Sequence, residues 1–280
     1  MSRRSLATLV VVTAAALALG GCASTTSTSA STDAAGGDYV TPGKLTIGTG
    51  EPAYYPWVQD DDPASGQGFE AAVAYAVAAR LGFDEADVEW VRTTFDQAIA
   101  PGPKDFDFNL QQFSITPERE EAVDFSSPYY ETTQVVITVE DSPAAGATTI
   151  AELKGLLIGA ATGTTSLDAI EEVIAPTAGA QVFNTNDDAK LALQSGTVDA
   201  IVVDLPTAFY LTAVELEGGE IVGQLPETSA GGDEFGLVLE KGSPLTERVT
   251  AAVDALREDG TLDELAAEWL GGDDAAPVLE

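Results

Sequence analysis

The sequence DFDFNLQQFSITPER at residues 105–119, followed by VDFSSPYY at residues 123–130, decides the fold. The stretch at 106–112 predicts a strand. Thr116 then has the side chain of a helix N-cap, with Pro117 at the first helical position and Glu118 in the first turn. The segment therefore predicts a strand, a polar loop and the start of a helix in immediate succession.

The same alternation of short strands and amphipathic helices extends in both directions. Predicted strands are 45–49, 88–91, 106–112, 156–160, a stretch around Val182, 200–203 and 235–239. Predicted helices are 68–81, 166–174, 187–194, 205–213, 245–256 and 262–269. Such alternation predicts mostly parallel sheets covered on both faces. Because the predicted strand 132–139 separates two series, we expect an α/β protein with two lobes.

Charge and composition exclude several classes of function. The chain has 46 acidic and 12 basic residues, a formal charge of −34. This excess repels nucleic acid, so no nucleic-acid partner is expected. Two interpretations of the acidic surface stay open, solubility and the steering of cationic ligands. Histidine is absent, which removes Ser-His-Asp and Cys-His triads and argues against most hydrolases.

No cofactor and no metal site is predicted. The sequence has no P-loop, and Gly48-Thr49-Gly50 is not a dinucleotide fingerprint. The run Asp60-Asp61-Asp62 lacks the alternating ligand spacing and the glycine of an EF-hand loop. We interpret it as a solvated loop.

The N-terminus has the features of an export signal. Arg3 and Arg4 precede an apolar stretch at 6–19, which is shorter than the roughly 20 residues needed to span a bilayer. Gly20-Gly21-Cys22 resembles the lipobox of bacterial lipoproteins, which implies a signal over 1–22 and a lipid on Cys22. A plain signal peptide with an incidental cysteine is the alternative. Residues 23–42, rich in Ser, Thr, Ala and Gly, then predict a flexible tether. Together with the lipobox, the tether implies a protein held on the outer face of the cell membrane.

The deciding segment resembles a signature of the polar-amino-acid solute-binding proteins of ABC importers, family 3 of the bacterial extracellular solute-binding proteins. The signature is Ser-Ile-Thr-x-Glu-Arg, here at 114–119, followed by Asp-Phe-Ser-x-x-Tyr-Tyr, here at 124–130. Other family-like pieces occur in the same order, at 45–49, 68–70, 153–155, 163–166, 198–204, 241–243 and 256–261, and at Trp269. The resemblance covers about residues 43–272.

This resemblance implies a type II periplasmic-binding-protein fold, with two doubly wound mixed sheets joined by a two-strand hinge. Lobe 1 would comprise residues 43–131 and 234–272, lobe 2 residues 132–233, and residues 273–280 would form a tail. It also implies a monomeric binding protein that closes over a free amino acid and delivers it to a permease and ATPase complex. The alternatives are a dehydratase-type enzyme on the same fold, with Glu51 as its candidate proton donor, and a ligand sensor without transport.

The chemistry of a free amino acid sets the requirements of such a site. Its carboxylate needs a guanidinium and backbone N–H groups, and its ammonium needs a carboxylate, because both charges leave water on binding. The resemblance assigns these roles to Arg119 and Asp204, on opposite lobes, so that the ligand would favour closure. Two alternatives stay open: an Arg119 surface ion pair with Glu118 or Glu120, and an Asp204 helix cap, which the same carboxylate could combine with binding.

The resemblance also implies the remaining contacts. Ser114, Thr164 and Thr165 would complete the carboxylate cage, although residues 162–166 alone also fit an ordinary glycine turn with an N-cap. Side-chain specificity would come from Glu51, Tyr54, Phe95, Gln111 and Gln112. Core packing is the alternative for the two aromatic residues, and a solvated loop charge is the alternative for Glu51. Gln111, Gln112 and Ala161 depart from the family pattern, which leaves the ligand's length and charge open; a polar or cationic side chain is favoured.

Overall fold

A computed structural model describes residues 38–226, 233–271 and 276–280. The predicted signal with Cys22, most of the tether and the beginning of the tail lie outside the described residues. Within the described ranges, every helix is too short or too polar to cross a bilayer.

Strands and helices alternate through most of the described chain. The strands are β1 Leu45–Gly50, β2 Val88–Thr93, β3 Phe108–Asn109, β4 Val123–Phe125, β5 Tyr130–Thr132, β6 Gln134–Val139, β7 Ile158–Ala161, β8 Gln181–Phe183, β9 Ala200–Asp204, β10 Gly219–Gln224, β11 Asp233–Phe235 and β12 Val238–Glu240. The α-helices are α1 Phe69–Leu81, α2 Phe95–Ile99, α3 Pro117–Glu120, α4 Ile150–Leu153, α5 Thr165–Ala169, α6 Asn186–Gln194, α7 Leu205–Tyr210, α8 Thr246–Glu258 and α9 Thr261–Trp269. A π-helical turn extends α5 over Ile170–Ile174 and α7 over Leu211–Glu215.

The first lobe contains a five-stranded mixed sheet in the order β2-β1-β3-β12-β4. Strands β1, β2 and β3 are parallel, and β12 runs antiparallel to its neighbours. All residues of β1 are buried, as expected for a strand covered on both faces. Helices α1, α8 and α9 cover one face, where Phe69, Val249 and Leu256 belong to one apolar core with Ile47.

The second lobe repeats this arrangement with a sheet in the order β10-β6-β9-β7-β8. Strands β7, β8 and β9 are parallel, whereas β6 and β10 are antiparallel to their partners. Apolar residues lie on both faces of the sheet, in two clusters that contain Val136 and Val135 respectively. The two-lobed α/β class predicted from the sequence is thus confirmed, and both sheets are mixed.

A separate pair of antiparallel strands, β5 and β11, connects the lobes. The sequence predicted one continuous strand over 235–239, but the structure divides this stretch. Phe235 pairs with β5, whereas Val238 pairs with β3 and β4 of the first sheet. Gly236 lies at the division, where a Cβ atom would come within 2.9 Å of Ile115 and Phe125.

Residues 276–280 pack on the second lobe, although the sequence indicated only a tail there. The amide of Gln224 donates to Pro277 O at 2.8 Å, and the amide of Leu279 donates back to Gln224 O at 2.9 Å. Leu279 is buried in the apolar core of this lobe. Residues 276–280 can approach this closely because residue 223 is a glycine: a Cβ atom there would lie 2.7 Å from Pro277 O. The chain therefore reaches the second lobe again after α9.

Candidate functional site

A cavity of about 370 Å³ lies between the two lobes. Its volume is within the range of small-molecule sites. The ten residues assigned to ligand binding from the sequence all line it: Glu51, Tyr54, Phe95, Gln111, Gln112, Ser114, Arg119, Thr164, Thr165 and Asp204. The sequence thus identified side chains from both lobes that meet at one cavity.

Arg119 enters this cavity from the short helix α3. Thr116 caps the helix and accepts a hydrogen bond from the Arg119 amide at 3.2 Å. The guanidinium donates through Nη1 to Ser114 O at 2.7 Å and through Nη2 to Gly163 O of the second lobe at 2.9 Å. It also lies 5.4 Å from the centroid of the Phe95 ring. Backbone carbonyls and an aromatic face therefore fix its orientation.

The charge of Arg119 is not neutralised by contact with an acid. In the part of the chain that the structure describes, no carboxylate lies within 4.0 Å of its guanidinium, so the surface ion pair with Glu118 or Glu120 does not form. Burial lowers the pKa of Arg119, and the more distant charge of Asp168 opposes this shift. A partly buried cation with this orientation is suited to a ligand carboxylate.

Hydroxyl groups from the two lobes meet beside Arg119. Ser114 Oγ lies 3.2 Å from Thr165 Oγ1. Thr164 is the N-cap of α5 and accepts a hydrogen bond from the Leu167 amide at 3.3 Å. The N–H groups of Thr165 and Ser166 precede the first hydrogen bond of α5, so they have no partner within the helix and are available to an anion. A helix cap and an anion cage are therefore compatible at residues 162–166.

Asp204 is the last residue of β9 and the N-cap of α7. Its Oδ1 accepts from the Thr207 amide at 3.0 Å, and its Oδ2 accepts from Thr207 Oγ1 at 2.9 Å. The residue is 8% exposed, and burial raises the pKa of its carboxyl to about 6, against the lowering effect of the hydrogen bonds. Each oxygen keeps acceptor capacity beyond its bond to Thr207, so capping and cation binding can coexist.

The aromatic residues Tyr54 and Phe95 contact both the cavity and the protein. Burial is the main cause that raises the pKa of Tyr54, and a hydrogen bond to Asp187 of the second lobe adds to it. The ring of Phe95 lies 4.7 Å from that of Phe113, so Phe95 combines core packing with its position at the cavity.

The loop that carries Glu51 and Tyr54 is held by the acidic run at 60–62. Asp61 pairs with Arg92 at 2.6 Å and accepts from the Ala53 amide at 2.8 Å. Glu51 itself is exposed at the edge of the cavity. Among the described residues, no group of three or more acidic or sulfur-containing side chains could hold a metal ion.

The two glutamines belong to different hydrogen-bond networks. Gln111 Nε2 donates to Thr93 Oγ1 at 2.7 Å and to Asn109 Oδ1 at 3.0 Å. Gln112 has a positive φ of 52° and donates its backbone amide to Glu70 Oε1 at 2.8 Å. The Gln112 side chain also donates to Glu70. These bonds fix both glutamines at the wall of the cavity.

Sequence reasoning missed several polar residues that also line the cavity, among them Glu70, Gln134, Asn184 and Asn186. Glu70 is 2% exposed and accepts a hydrogen bond from the Tyr129 hydroxyl as well as from Gln112. Burial, partly offset by these bonds, raises the pKa of its carboxyl to about 7. The piece Gly68-Phe69-Glu70 was recognised as family-like, but nothing in it indicated that the acid reaches the cavity.

The lobes are in contact around the cavity. Besides the bonds of Arg119 and Ser114, the Trp57 indole N–H donates to Thr207 Oγ1 at 3.0 Å. The rings of Tyr55 and Tyr210 lie 5.1 Å apart across the same gap. The structure therefore shows the closed arrangement of the two lobes.

Known proteins resemble this chain in sequence and in fold. The family model of bacterial extracellular solute-binding proteins, family 3, matches residues 45–272. The glutamine-binding protein GlnH of an ABC transporter in Bacillus subtilis is 29% identical over 218 residues, which cover 76% of this chain and 77% of the relative. The L-arginine-binding protein of Pseudomonas aeruginosa is 29% identical over 231 residues, which cover 80% and 86%.

A solved structure, an ancestral arginine-binding protein bound to glutamine, superposes with a TM-score of 0.69 at 30% identity. The match covers 83% of this chain and all of the other. The family recognised in the sequence is confirmed by the family model, which spans both lobes. The chain belongs to the bacterial extracellular solute-binding proteins, family 3.

Proposed function

We propose that this chain is the extracytoplasmic substrate-binding protein of an ABC importer and that it binds one free amino acid between its lobes. The observation that carries the proposal is that Arg119 and Asp204 come from opposite lobes and line the same cavity. A zwitterion placed between them satisfies both charges and stabilises the closed arrangement. The glutamine-binding and arginine-binding relatives support an amino acid as the ligand.

The remaining charges of the cavity favour a polar or cationic side chain on this amino acid. Arg119 is the only cation among the described lining residues, and it is reserved for the α-carboxylate. Glu51, Glu70 and Asp96 also line the cavity, and none of them forms an ion pair with a described basic residue. A carboxylate on the ligand's side chain would meet these acids without a counter-charge, so anionic side chains are disfavoured.

A thermal-shift screen of the twenty amino acids, ornithine and citrulline tests the proposal. A ligand that binds only the folded protein raises the melting temperature by mass action. We expect the shift for one or a few polar or cationic amino acids and none for aspartate or glutamate. Glycerol and acetate serve as controls, because each lacks one or both charges of the zwitterion. A protein whose melting temperature no amino acid changes would refute the function.

The proposal includes a lipid anchor at Cys22 and delivery of the amino acid to a permease and ATPase complex. Support for the anchor comes from the sequence, since Cys22 lies outside the described residues. Metabolic labelling with a fatty acid should mark the wild-type protein and not Cys22→Ser. Release of the unlabelled variant into the medium, with the wild type held in the membrane fraction, would agree with this. Labelling of both proteins would refute the anchor at Cys22.

A further inference from the structure

A buried amide at the hinge side of the cavity has no role in the binding scheme above. Gln134 begins β6, two residues after the crossing strand β5, and lines the cavity while only 7% exposed. Its Nε2 donates to Asp233 Oδ2 at 2.7 Å and lies 3.4 Å from Thr165 Oγ1. Asp233 begins the other crossing strand, β11, so this amide connects that strand with the second lobe.

The oxygen of this amide is left without a donor. Gln134 Oε1 is buried and accepts no hydrogen bond from the residues that the structure describes. The orientation of the amide follows from its partner, because a carboxylate such as Asp233 accepts hydrogen bonds and must face the nitrogen. Buried polar atoms are rarely unpaired, and each exception calls for an explanation.

The register of the second sheet places Gln134 beside Asp204. Strands β6 and β9 are antiparallel, and Gln134 is directly opposite Asp204. Directly opposite residues project from the same face of a sheet, with Cβ atoms about 4.5–5.5 Å apart. Because both residues line the cavity, their acceptor groups share one end of it.

We propose that Gln134 Oε1 accepts a hydrogen bond from the α-ammonium group of the bound amino acid, alongside Asp204. This inference rests on the proposed function. An ammonium group has three N–H donors. The Asp204 carboxylate already accepts two hydrogen bonds from Thr207, so it cannot by itself pair with all three of them. A neutral amide oxygen supplies a second acceptor without adding charge next to Asp204. The site would thereby select a primary α-ammonium group, and its occupation would be linked to the hinge through Asp233.

Two matched pairs of probes test this assignment. L-arginine is compared with 5-guanidinopentanoic acid, and L-glutamine with 5-amino-5-oxopentanoic acid; each acid is the amino acid without its α-ammonium. Gln134→Met keeps the length of the side chain and removes the acceptor. We expect it to weaken binding of the amino acid at least tenfold and binding of the corresponding acid less than twofold, measured by titration calorimetry with displacement for the weaker probe.

Gln111→Met is the control, because Gln111 lines the same cavity and bonds to Thr93 and Asn109, away from the second lobe. It should change the affinities of both members of a pair by the same factor. If Gln134→Met fails to fold, as judged by circular dichroism, Gln134→Asn withdraws the oxygen by one methylene and should give the same selective loss.

The outcomes separate this inference from the proposed function. Unchanged affinity in the Gln134 variants, or an equal loss for both probes, would assign Gln134 to the hinge alone and overturn the inference. Failure of the wild-type protein to bind any α-amino acid would overturn the proposed function together with the inference. A selective loss for the probe with the ammonium group supports both.

Discussion

The indole N–H of Trp57, in the first lobe, donates to Thr207 Oγ1 of the second lobe at 3.0 Å, and this hydroxyl donates to Asp204 Oδ2 at 2.9 Å. A chain of two hydrogen bonds thus joins the first lobe to the carboxylate proposed to bind the ligand ammonium. The first bond crosses between the lobes, so it contributes to the closed arrangement and not to the fold of either lobe. Closure and the orientation of Asp204 are therefore connected.

Trp57→Phe should weaken amino-acid binding by about three- to tenfold, because a typical hydrogen bond contributes about 0.5–1.5 kcal/mol and this one is lost only from the closed state. The phenyl ring keeps the packing against Phe69 and Phe235 in part. Calorimetric affinity with the amino acid found in the screen is the measurement. Trp90→Phe is the matched control, since Trp90 donates to Tyr75 within the first lobe at 3.2 Å. Equal losses in the two variants would contradict a role of the Trp57 bond in closure.

Arg119→Ala should abolish detectable binding of every amino acid, since removal of one partner of a desolvated charge pair costs about 3–5 kcal/mol. The ligand-free protein should melt at the same temperature or higher, because burial already disfavours the charged guanidinium. Titration calorimetry and thermal melts of the same samples measure both effects.

Arg248→Ala is the control for this variant. Arg248 also lies over an aromatic ring, 5.5 Å from the centroid of Tyr39, but it does not line the cavity. Its replacement should leave affinity unchanged. Retention of near-native affinity by Arg119→Ala would remove Arg119 from the carboxylate site.

The affinity for an amino acid should fall as pH falls below about 6. The pKa of Asp204 is raised to about 6 by burial in the ligand-free protein, and a bound ammonium group would lower it by favouring the carboxylate. Binding therefore releases a proton below pH 6, and affinity should be about tenfold lower at pH 5 than at pH 7.5. Calorimetry in buffers of different ionisation enthalpy measures both the affinity and the proton released.

Two variants test whether the pH dependence of the affinity comes from Asp204 or from Glu70. Asp204→Asn should bind weakly with no change between pH 5 and pH 7.5, because it has no carboxyl to titrate. Glu70, whose pKa is raised to about 7, also lies at the cavity, so Glu70→Gln tests whether it contributes. If Glu70→Gln removes the dependence and Asp204→Asn keeps it, the assignment to Asp204 is wrong.

The sequence predicted the features that depend on interactions between residues close together in the chain, and it missed those that depend on distant residues. Local signals placed the helices around Phe69 and Val249 and the cap at Thr116, because periodicity and capping depend on neighbours within a few positions. The family resemblance then indicated residues of both lobes, and all of these line one cavity. Their roles in binding stay predictions that the variants above test.

Glu70 and Gln134 escaped sequence reasoning because their partners are remote. Glu70 bonds to Tyr129, 59 positions away, and Gln134 bonds to Asp233, 99 positions away. No local pattern distinguishes a buried acid that follows a glycine and an aromatic residue from an ordinary charge in the first turn of a helix. The pairing of such residues is fixed by the tertiary fold, and sequence alone does not supply it.

The sequence did not predict the packing of residues 276–280 for a related reason. This packing leads to a prediction about stability. Leu279 is 4% exposed in the core of the second lobe, whereas its neighbour Val278 is 64% exposed. Two apolar residues without periodicity carry no signal of which one is buried. Leu279→Ala should lower the free energy of unfolding by about 2–3 kcal/mol, at the lower end of the range for buried leucines, because the segment lies at the edge of the lobe.

Val278→Ala provides the comparison, because the Val278 side chain is mostly exposed and buries little apolar surface. This substitution should change the free energy of unfolding by less than about 0.5 kcal/mol. Urea unfolding of both variants gives the free energies. Since the segment attaches to Gln224, whose side chain accepts from Thr133 next to the crossing strand β5, loss of Leu279 should also alter the lobe equilibrium. Small-angle scattering with and without the amino acid measures that change. Equal stability of the two variants would show that residues 276–280 contribute nothing to the second lobe in solution.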